Sequence, residues 1–320
     1  MRQTPMPVAP EFNRDFEPRY GEAVELSKLV RRVVANNASP FTFYGTGTYI
    51  AGRGEVAIID PGPLDDTHVS SLLKAVAGER VSHILVTHNH LDHSPAAVPL
   101  KARTGAKIHG FRAMGREETD DGARVEEGID ANYRPDEVLR DGETIKGKGW
   151  TISCVFTPGH TSNHMCYALE EEQALFCGDH IMGWSTSVVI PPDGTMTDYL
   201  HSLTKIARRD DCVLYPTHGA PIGGAHDSKK RNPQAYVLAL IAHREERERQ
   251  IAACLKRGIG RIADMVAALY RDVDPMLHPA AARSVHAHLI RMAADQRAAS
   301  DGAPTLEAHY RLGAAASGNL

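Results

Sequence analysis

The stretch Val86-Thr87-His88-Asn89-His90-Leu91-Asp92-His93-Ser94 decides the fold of this chain. Three histidines and one aspartate lie within six residues, directly after the apolar run 81–86, which predicts a buried strand. Ser94 and Pro95 then occupy the positions preferred for the N-cap and the first residue of a helix over 96–102. The polar side chains are therefore expected in a strand-to-helix loop, at the carboxyl end of a strand, where α/β sheets place their sites.

The residue types in this loop indicate metal binding. Neutral imidazole and carboxylate are ligands that borderline metals such as zinc accept. In an irregular loop, His88 and His90 can turn toward one ion, and Asp92 and His93 toward a second. The alternative is a polar loop that is merely rich in histidine, and the motifs elsewhere in the chain make that the weaker interpretation.

Four further motifs stand around this loop in an order that resembles the metallo-β-lactamase-fold hydrolase superfamily. They are Asp60-Pro61-Gly62, Thr157-Pro158-Gly159-His160-Thr161, Gly178-Asp179 and Pro216-Thr217-His218-Gly219. Five ordered motifs across residues 45–224 make a far more specific signal than any one of them alone. The resemblance implies two metal sites that share one carboxylate. The first site would hold His88, His90 and His160, the second Asp92, His93 and His218, with Asp179 as the bridge.

The resemblance also implies a mechanism. Two divalent ions, expected to be Zn²⁺ with Mn²⁺ or Fe²⁺ as alternatives, would share a water and lower its pKa toward neutrality. The resulting hydroxide would attack the substrate without a serine or cysteine nucleophile. Asp92 and His164 are the candidate catalytic residues, with His164 as a proton donor or phosphate contact, or else a structural residue. Asp60 is a candidate for orienting a ligand imidazole, and His180 is a weaker candidate.

The order of the predicted elements, together with the resemblance, implies a four-layer αββα sandwich. The composition changes at Arg231-Asn232-Pro233, which predicts a catalytic domain over 1–232 and a second domain over 233–320. The run 178–202, the helix around Ala242-His243-Arg244 and the helix at Ala280-Ala281-Ala282-Arg283 resemble the lactamase-β-2-like branch of the superfamily. This resemblance implies that the second domain is helical and winged-helix-like. The characterised mitochondrial members of that branch are similar to ribonucleases of single-stranded RNA. Residues 112–137, charged and rich in glycine, predict an inserted loop that either borders the pocket or is solvated.

The charge and composition of the chain limit the classes of binding partner that we expect. The net charge is −4, and residues 233–320 carry 11 Lys plus Arg against 9 Asp plus Glu, a net charge of +2. Sequence-specific DNA binding is therefore not expected, because such modules are usually clearly basic. The absence of an 18-residue apolar run and of a signal sequence, with five scattered cysteines, predicts a cytoplasmic protein without a membrane span. A homo-oligomer is left open.

Three classes of function follow. The first is a dinuclear metallohydrolase, acting either on RNA phosphodiesters or on small esters such as the thioesters and lactones that glyoxalase II-like enzymes cleave. The second is an iron-dependent oxygenase, and the third is a non-catalytic nucleic-acid-binding protein. A basic groove leading to the metals would favour RNA, whereas a closed apolar pocket would favour a small ester.

Overall fold

The computed structural model describes residues 9–112, 128–271 and 274–314. Its strands are β1 (Val24–Glu25), β2 (Val30–Val34), β3 (Gly47–Arg53), β4 (Glu55–Ile59), β5 (Arg80–Val86), β6 (Lys107–Gly110), β7 (Glu137–Val138), β8 (Thr144–Gly147), β9 (Trp150–Phe156), β10 (Met165–Leu169), β11 (Ala174–Gly178), β12 (Val213–Pro216), β13 (Ile222–Gly223), β14 (Ala298–Ser300) and β15 (Tyr310–Leu312). Its helices are α1 (Asp66–Ala75), α2 (Ala97–Thr104), α3 (Met196–Ala207), α4 (Pro233–Lys256), α5 (Ile262–Leu269) and α6 (His278–Ala294).

The first sheet contains β1 to β7 in chain order. Strands β1 to β4 pair antiparallel, and β4 to β7 pair parallel. Two arginines interrupt the apolar pattern of β2, yet both are buried. Arg31 forms an ion pair of 2.6 Å with Glu79, and Arg32 donates to the Gly219 carbonyl at 2.9 Å. These partners satisfy part of each buried guanidinium group, which lets a sequence with two charges form an interior strand. Within the described residues, Nε of both arginines has no hydrogen-bond partner.

The second sheet has the strand order β13-β12-β11-β10-β9-β8. Strands β8 to β11 form an antiparallel meander, and β11 pairs parallel with β12. The two sheets face each other across an aromatic core. In that core the ring centroid of Tyr49 lies 5.2 Å from that of Phe176 and 5.4 Å from that of Tyr215.

Helices cover the outer faces of both sheets. Val69 and Leu72 of α1 pack on the first sheet, and Leu203 of α3 packs on the second together with residues of α4. The result is the four-layer αββα sandwich that the motif order predicts. Within the described ranges, no helix combines the length and the apolar character needed to span a bilayer.

Helix α4 is shared by two hydrophobic cores. Tyr236 and Leu240 pack in the core of the second sheet with α3, whereas Ile251 and Leu255 pack with α5 and α6. The boundary at 232/233 stays a prediction, and the packing shows that the helix after it contributes to the core of both parts of the chain.

The part after α4 consists of α5, α6 and an antiparallel hairpin, with Ala298 of β14 opposite Leu312 of β15. The two helices agree with the sequence analysis, which did not identify the hairpin. Strands of three residues are too short for an alternating pattern to give a usable signal.

Two details differ from, or lie outside, the expectations for the histidine loop (residues 87–94). Ser94 is not an N-cap, because α2 begins at Ala97 and the Ser94 hydroxyl donates to the Asp130 carboxylate at 2.8 Å. Of the predicted insertion 112–137, residues 113–127 lie outside the described residues. The described part that follows packs on the histidine loop, since Leu91 N donates to the Gly128 carbonyl at 2.9 Å.

Candidate metal centre

The predicted site residues come together because five strands end at one edge of the sandwich. The histidine loop follows β5, and Asp60 follows the neighbouring parallel strand β4. His160, Asp179 and His218 follow β9, β11 and β12 of the opposite sheet. All seven residues predicted as metal ligands lie in three overlapping groups of donor atoms, each group within 4.8 Å. These groups are His88 with His90 and His160, His88 with His93 and Asp179, and Asp92 with His93 and His218.

The first group consists of three imidazoles that point at one another. His90 Nδ1 lies 3.0 Å from His88 Nε2 and 3.3 Å from His160 Nε2. Burial, reinforced by the neighbouring rings, lowers the pKa of His90 to about 3 and the pKa of His88 well below its usual value. Burial also lowers the pKa of His160. All three rings are therefore neutral at physiological pH, which is the form that binds a metal.

The second group combines carboxylates with imidazoles. His93 Nε2 and His218 Nε2 each lie 3.2 Å from Asp92 Oδ2. Burial alone would lower the pKa of both histidines. The carboxylates of Asp92 and Asp179 outweigh it, so the pKa of His218 rises to about 10 and that of His93 rises well above its usual value. A divalent cation supplies the same positive charge, so its binding would displace these protons.

Asp179 lies between the two groups. Its Oδ2 is 3.3 Å from His218 Nε2 and its Oδ1 is 3.5 Å from His93 Nε2. Burial raises the pKa of Asp179, but His218 and His93 outweigh it and hold the carboxylate ionised. Within the described residues, Oδ1 has no hydrogen-bond partner. A buried carboxylate oxygen without a partner is costly, and a cation at this position would remove that cost.

Asp60 connects three loops around the centre. Its Oδ1 accepts from Thr87 N at 2.8 Å, and its Oδ2 accepts from His93 Nδ1 at 2.9 Å. The same Oδ2 accepts from the hydroxyls of Thr87 and Thr217, at 2.8 and 3.0 Å. The contact to Nδ1 leaves Nε2 of His93 facing the cluster, which is the orienting geometry that the sequence analysis considered for Asp60.

Backbone carbonyls orient two further imidazoles. His160 Nδ1 donates to the Val188 carbonyl at 2.7 Å, and His218 Nδ1 donates to the Gly45 carbonyl at 3.1 Å. Because a carbonyl only accepts, Nδ1 carries the proton in both rings and Nε2 holds the lone pair when the ring is neutral. Sequence analysis could not find these contacts, since any residue type supplies a carbonyl.

The candidate catalytic residue His164 and the weaker candidate His180 lie behind the centre. His164 is fully buried, with Nδ1 2.9 Å from Thr157 Oγ1 and its ring centroid 5.2 Å from that of His88. His180 is also fully buried and packs against the Tyr199 ring, with 4.7 Å between the centroids. Neither lines the cavity that opens onto the donors, so the proton-donor role of His164 stays a prediction and its contacts are those of a packed neighbour of His88.

That cavity has a volume of about 20 Å³. Its lining consists of Phe41, Thr42, His90, Asp92, His160, Asp179, Met182, Val188 and His218. Among these described residues there is no lysine or arginine. Beside His218, the rings of Phe43 and Trp184 stack with 4.6 Å between their centroids, and Trp184 borders Gly219. Sequence analysis missed the apolar lining because it comes from irregular loops.

The family model described as the metallo-beta-lactamase superfamily matches residues 42–218, more than half of the chain. The chain belongs to the metallo-beta-lactamase superfamily. A second model, described as the beta-lactamase associated winged helix domain, matches residues 262–305 and covers α5 and α6. The two matches agree with the expected combination of a metallo-beta-lactamase sandwich and a winged-helix appendage. The chain is therefore a hydrolase of this superfamily.

Curated relatives cover most of the chain. A beta-lactamase-like protein 2 homolog from Caenorhabditis elegans is 34% identical over 238 residues, which is 72% of each chain. An atrochrysone carboxyl ACP thioesterase from Aspergillus fumigatus is 33% identical over 246 residues, covering 75% of this chain and 69% of the relative. Among solved structures, a metallo-beta-lactamase family protein from Thermus thermophilus matches with a TM-score of 0.69 and 22% identity. That match covers 90% of this chain and all of the other, and it shows a common fold.

Proposed function

We propose that this hydrolase binds two divalent metal ions, zinc in the first instance, and cleaves a thioester or another small ester. His88, His90 and His160 would hold one ion, and Asp92, His93 and His218 would hold the other. Asp179 would contact both. The seven buried donors support this assignment, as does Asp179 Oδ1, which lies 3.5 Å from His93 Nε2 without a hydrogen bond from the described residues.

Bound divalent ions would supply Lewis acidity and lower the pKa of water toward neutrality. The chain's own residues keep the donors in place. Asp60 orients His93 through Nδ1, and the Val188 and Gly45 carbonyls do the same for His160 and His218. No serine or cysteine lies among the described lining residues of the cavity, so the residues at hand provide no serine or cysteine nucleophile.

The residues of the cavity wall favour a small ester over RNA as the substrate. Phe41, Met182 and Val188 present apolar surface next to the donors, and no described lining residue is lysine or arginine. A strand of RNA brings several phosphates, which proteins bind largely through lysine and arginine. The expectation of RNA cleavage therefore gains no support here, whereas the apolar side chains of this wall are compatible with an uncharged acyl group beside the donors. The relative named as an acyl-carrier-protein thioesterase is consistent with this choice.

The test is a substrate panel with the zinc-replete protein. Acyl thioesters, lactones and single-stranded RNA are offered at equal concentration, and bound zinc is counted by elemental analysis. We expect two zinc ions per chain and thioester turnover at least 100-fold above background. Asp179→Asn should remove at least 99% of that turnover, whereas Asp264→Asn, at an exposed position on α5, should not change it. Cleavage of RNA without thioester turnover, or fewer than two bound ions, would contradict the proposal.

A further inference from the structure

A second, larger cavity lies between the sandwich and the winged-helix part. It is a cleft of about 560 Å³, within the usual range for small-molecule sites. One wall is the segment 191–195 with the first turn of α3, and the other is α6 with the segment 304–307. Its lining residues are Pro191, Pro192, Gly194, Thr195, Met196, Thr197, Arg283, His286, Ala287, Ile290, Arg291, Pro304, Thr305, Leu306 and Glu307.

The cleft is close to the metal centre. Val188 lines the metal cavity and Pro191 lines the cleft. Three residues of chain span at most about 11 Å, so the two cavities lie on either side of one short segment. Gly194 in the cleft wall packs directly on the backbone of His160, because a Cβ at position 194 would lie 2.5 Å from the His160 carbonyl oxygen.

The lining of the cleft favours an uncharged, apolar occupant. Met196 on one wall, and Ile290 and Leu306 on the other, present apolar side chains to the cleft. Arg291 is compensated by an ion pair with Glu248 at 2.6 Å. His286 Nε2 donates a hydrogen bond of 2.7 Å to the Pro304 carbonyl, and burial lowers the pKa of His286. The two other charged lining residues, Arg283 and Glu307, have opposite formal charges that sum to zero.

We propose that this cleft binds the apolar acyl chain of the ester or thioester substrate. This inference rests on the proposed function, because the scissile carbonyl must lie at the metal centre. The segment from Val188 to Pro191 spans at most about 11 Å, which corresponds to an acyl chain of at most roughly nine carbon–carbon bonds of about 1.5 Å in zigzag. Shorter acyl groups end before the cleft, and longer ones bury their terminal methylenes there.

The first measurement is kcat/KM against acyl length, from acetyl to hexadecanoyl thioesters, with the full zinc-replete chain. We expect little change up to about eight carbons and a rise of at least tenfold between octanoyl and tetradecanoyl. Ile290→Trp fills the cleft from α6, and Thr197→Trp fills it from α3. Each should abolish the rise and leave acetyl turnover unchanged. Leu238→Trp, at a site on α4 that is 57% exposed and not part of the cleft, is the matched control.

The second measurement is equilibrium dialysis of radiolabelled dodecanoate, which needs no catalysis. The wild type and Leu238→Trp should bind one equivalent, and both cleft-filling variants should lose at least 90% of that binding. If dodecanoate binds in this way but no thioester is hydrolysed, the cleft proposal stands on its binding and the proposed function fails. If acetyl thioester is hydrolysed but neither length nor the tryptophans matter, the cleft proposal is wrong. Displacement of dodecanoate by single-stranded RNA, rather than by other acyl chains, would also overturn it.

Discussion

At the scale of single residues, Asp60 shows how a side chain outside the three groups of candidate donors can organise a site. It is 1% exposed and adopts a φ of +50°, which places its carboxylate among Thr87, His93 and Thr217. Asparagine and aspartate tolerate such a φ better than most residues. Asn at position 60 therefore keeps the backbone but replaces one accepting oxygen with a donor.

We expect Asp60→Asn to weaken zinc binding about 10- to 100-fold, because His93 loses the anion that orients Nδ1. A competitive titration against a chelator of known affinity measures the change, and circular dichroism checks the fold. Asp66→Asn, at an exposed position on α1, is the matched control. Equal zinc affinity in Asp60→Asn and wild type would show that the contact has no orienting role.

The histidine loop could be interpreted from sequence because four polar donors lie side by side behind an apolar strand. The contacts that orient these donors could not be predicted from sequence. The Val188 and Gly45 carbonyls have no residue signature, and Asp130, which accepts from the Ser94 hydroxyl, lies within the predicted insertion 112–137. The apolar wall formed by Met182 and Val188 could not be predicted either, because the segment that contains them has no periodic pattern of apolar residues.

At the scale of elements, the site depends on how closely loops approach helices. Gly159, next to His160, has a φ of +142° and packs against the first turns of α3. A Cβ at this position would lie 2.3 Å from Tyr199 Cα and 2.4 Å from Tyr199 N. Backbone atoms cannot move aside as a side-chain end can, so α3 itself would have to shift.

We expect Gly159→Ala to lower the free energy of unfolding by about 3 kcal/mol, through strained φ and overpacking together. Gly78→Ala is the matched control, since Gly78 has a φ of +82° and nothing within 4 Å of the added Cβ. That control should cost about 1 kcal/mol, from the backbone conformation alone. Urea unfolding measures both. Equal losses of unfolding free energy in the two variants would mean that α3 moves away from the added Cβ at no cost.

The strands and helices of the sandwich were predictable where apolar patterns are long, as in β5 and α3. Strand β2 was not, because Arg31 and Arg32 find their partners on distant elements. The hairpin β14–β15 was not predictable, because each strand has only three residues and packs on a helix distant in sequence or newly ended, β14 on α6 and β15 on α4.

At the scale of the whole molecule, a buried carboxylate joins α4 to α6 and the hairpin. Glu248 is 4% exposed and contacts Arg291 at 2.6 Å, Arg297 at 2.7 Å and His288 at 3.3 Å. Burial alone would raise the pKa of Glu248. The contacts with His288 and the two arginines outweigh it and lower the pKa to about 2.

We expect Glu248→Gln to lower the free energy of unfolding by about 3 kcal/mol at pH 7, because two arginines lose their counter-charge. Since the folded pKa lies below the usual value of 4.5, the contribution of Glu248 is complete above pH 4.5 and is lost as the pH falls toward 2. Urea unfolding at several pH values measures the difference between variant and wild type. Glu245→Gln, exposed on the same helix, is the control. A difference that stays constant from pH 7 to pH 3 would contradict the assignment.

The 24 residues of α4 form one continuous helix with its first half in the sandwich core and its second half in the winged-helix core. Melting either core removes the packing that stabilises half of this helix, and the loss propagates along its hydrogen bonds to the other half. We therefore expect the chain to unfold as a single cooperative unit, with one calorimetric peak instead of two. We also expect a protease that cuts after Arg231 to yield no stable fragment, because Tyr236, Val237 and Leu240 then leave the core that they share with α3.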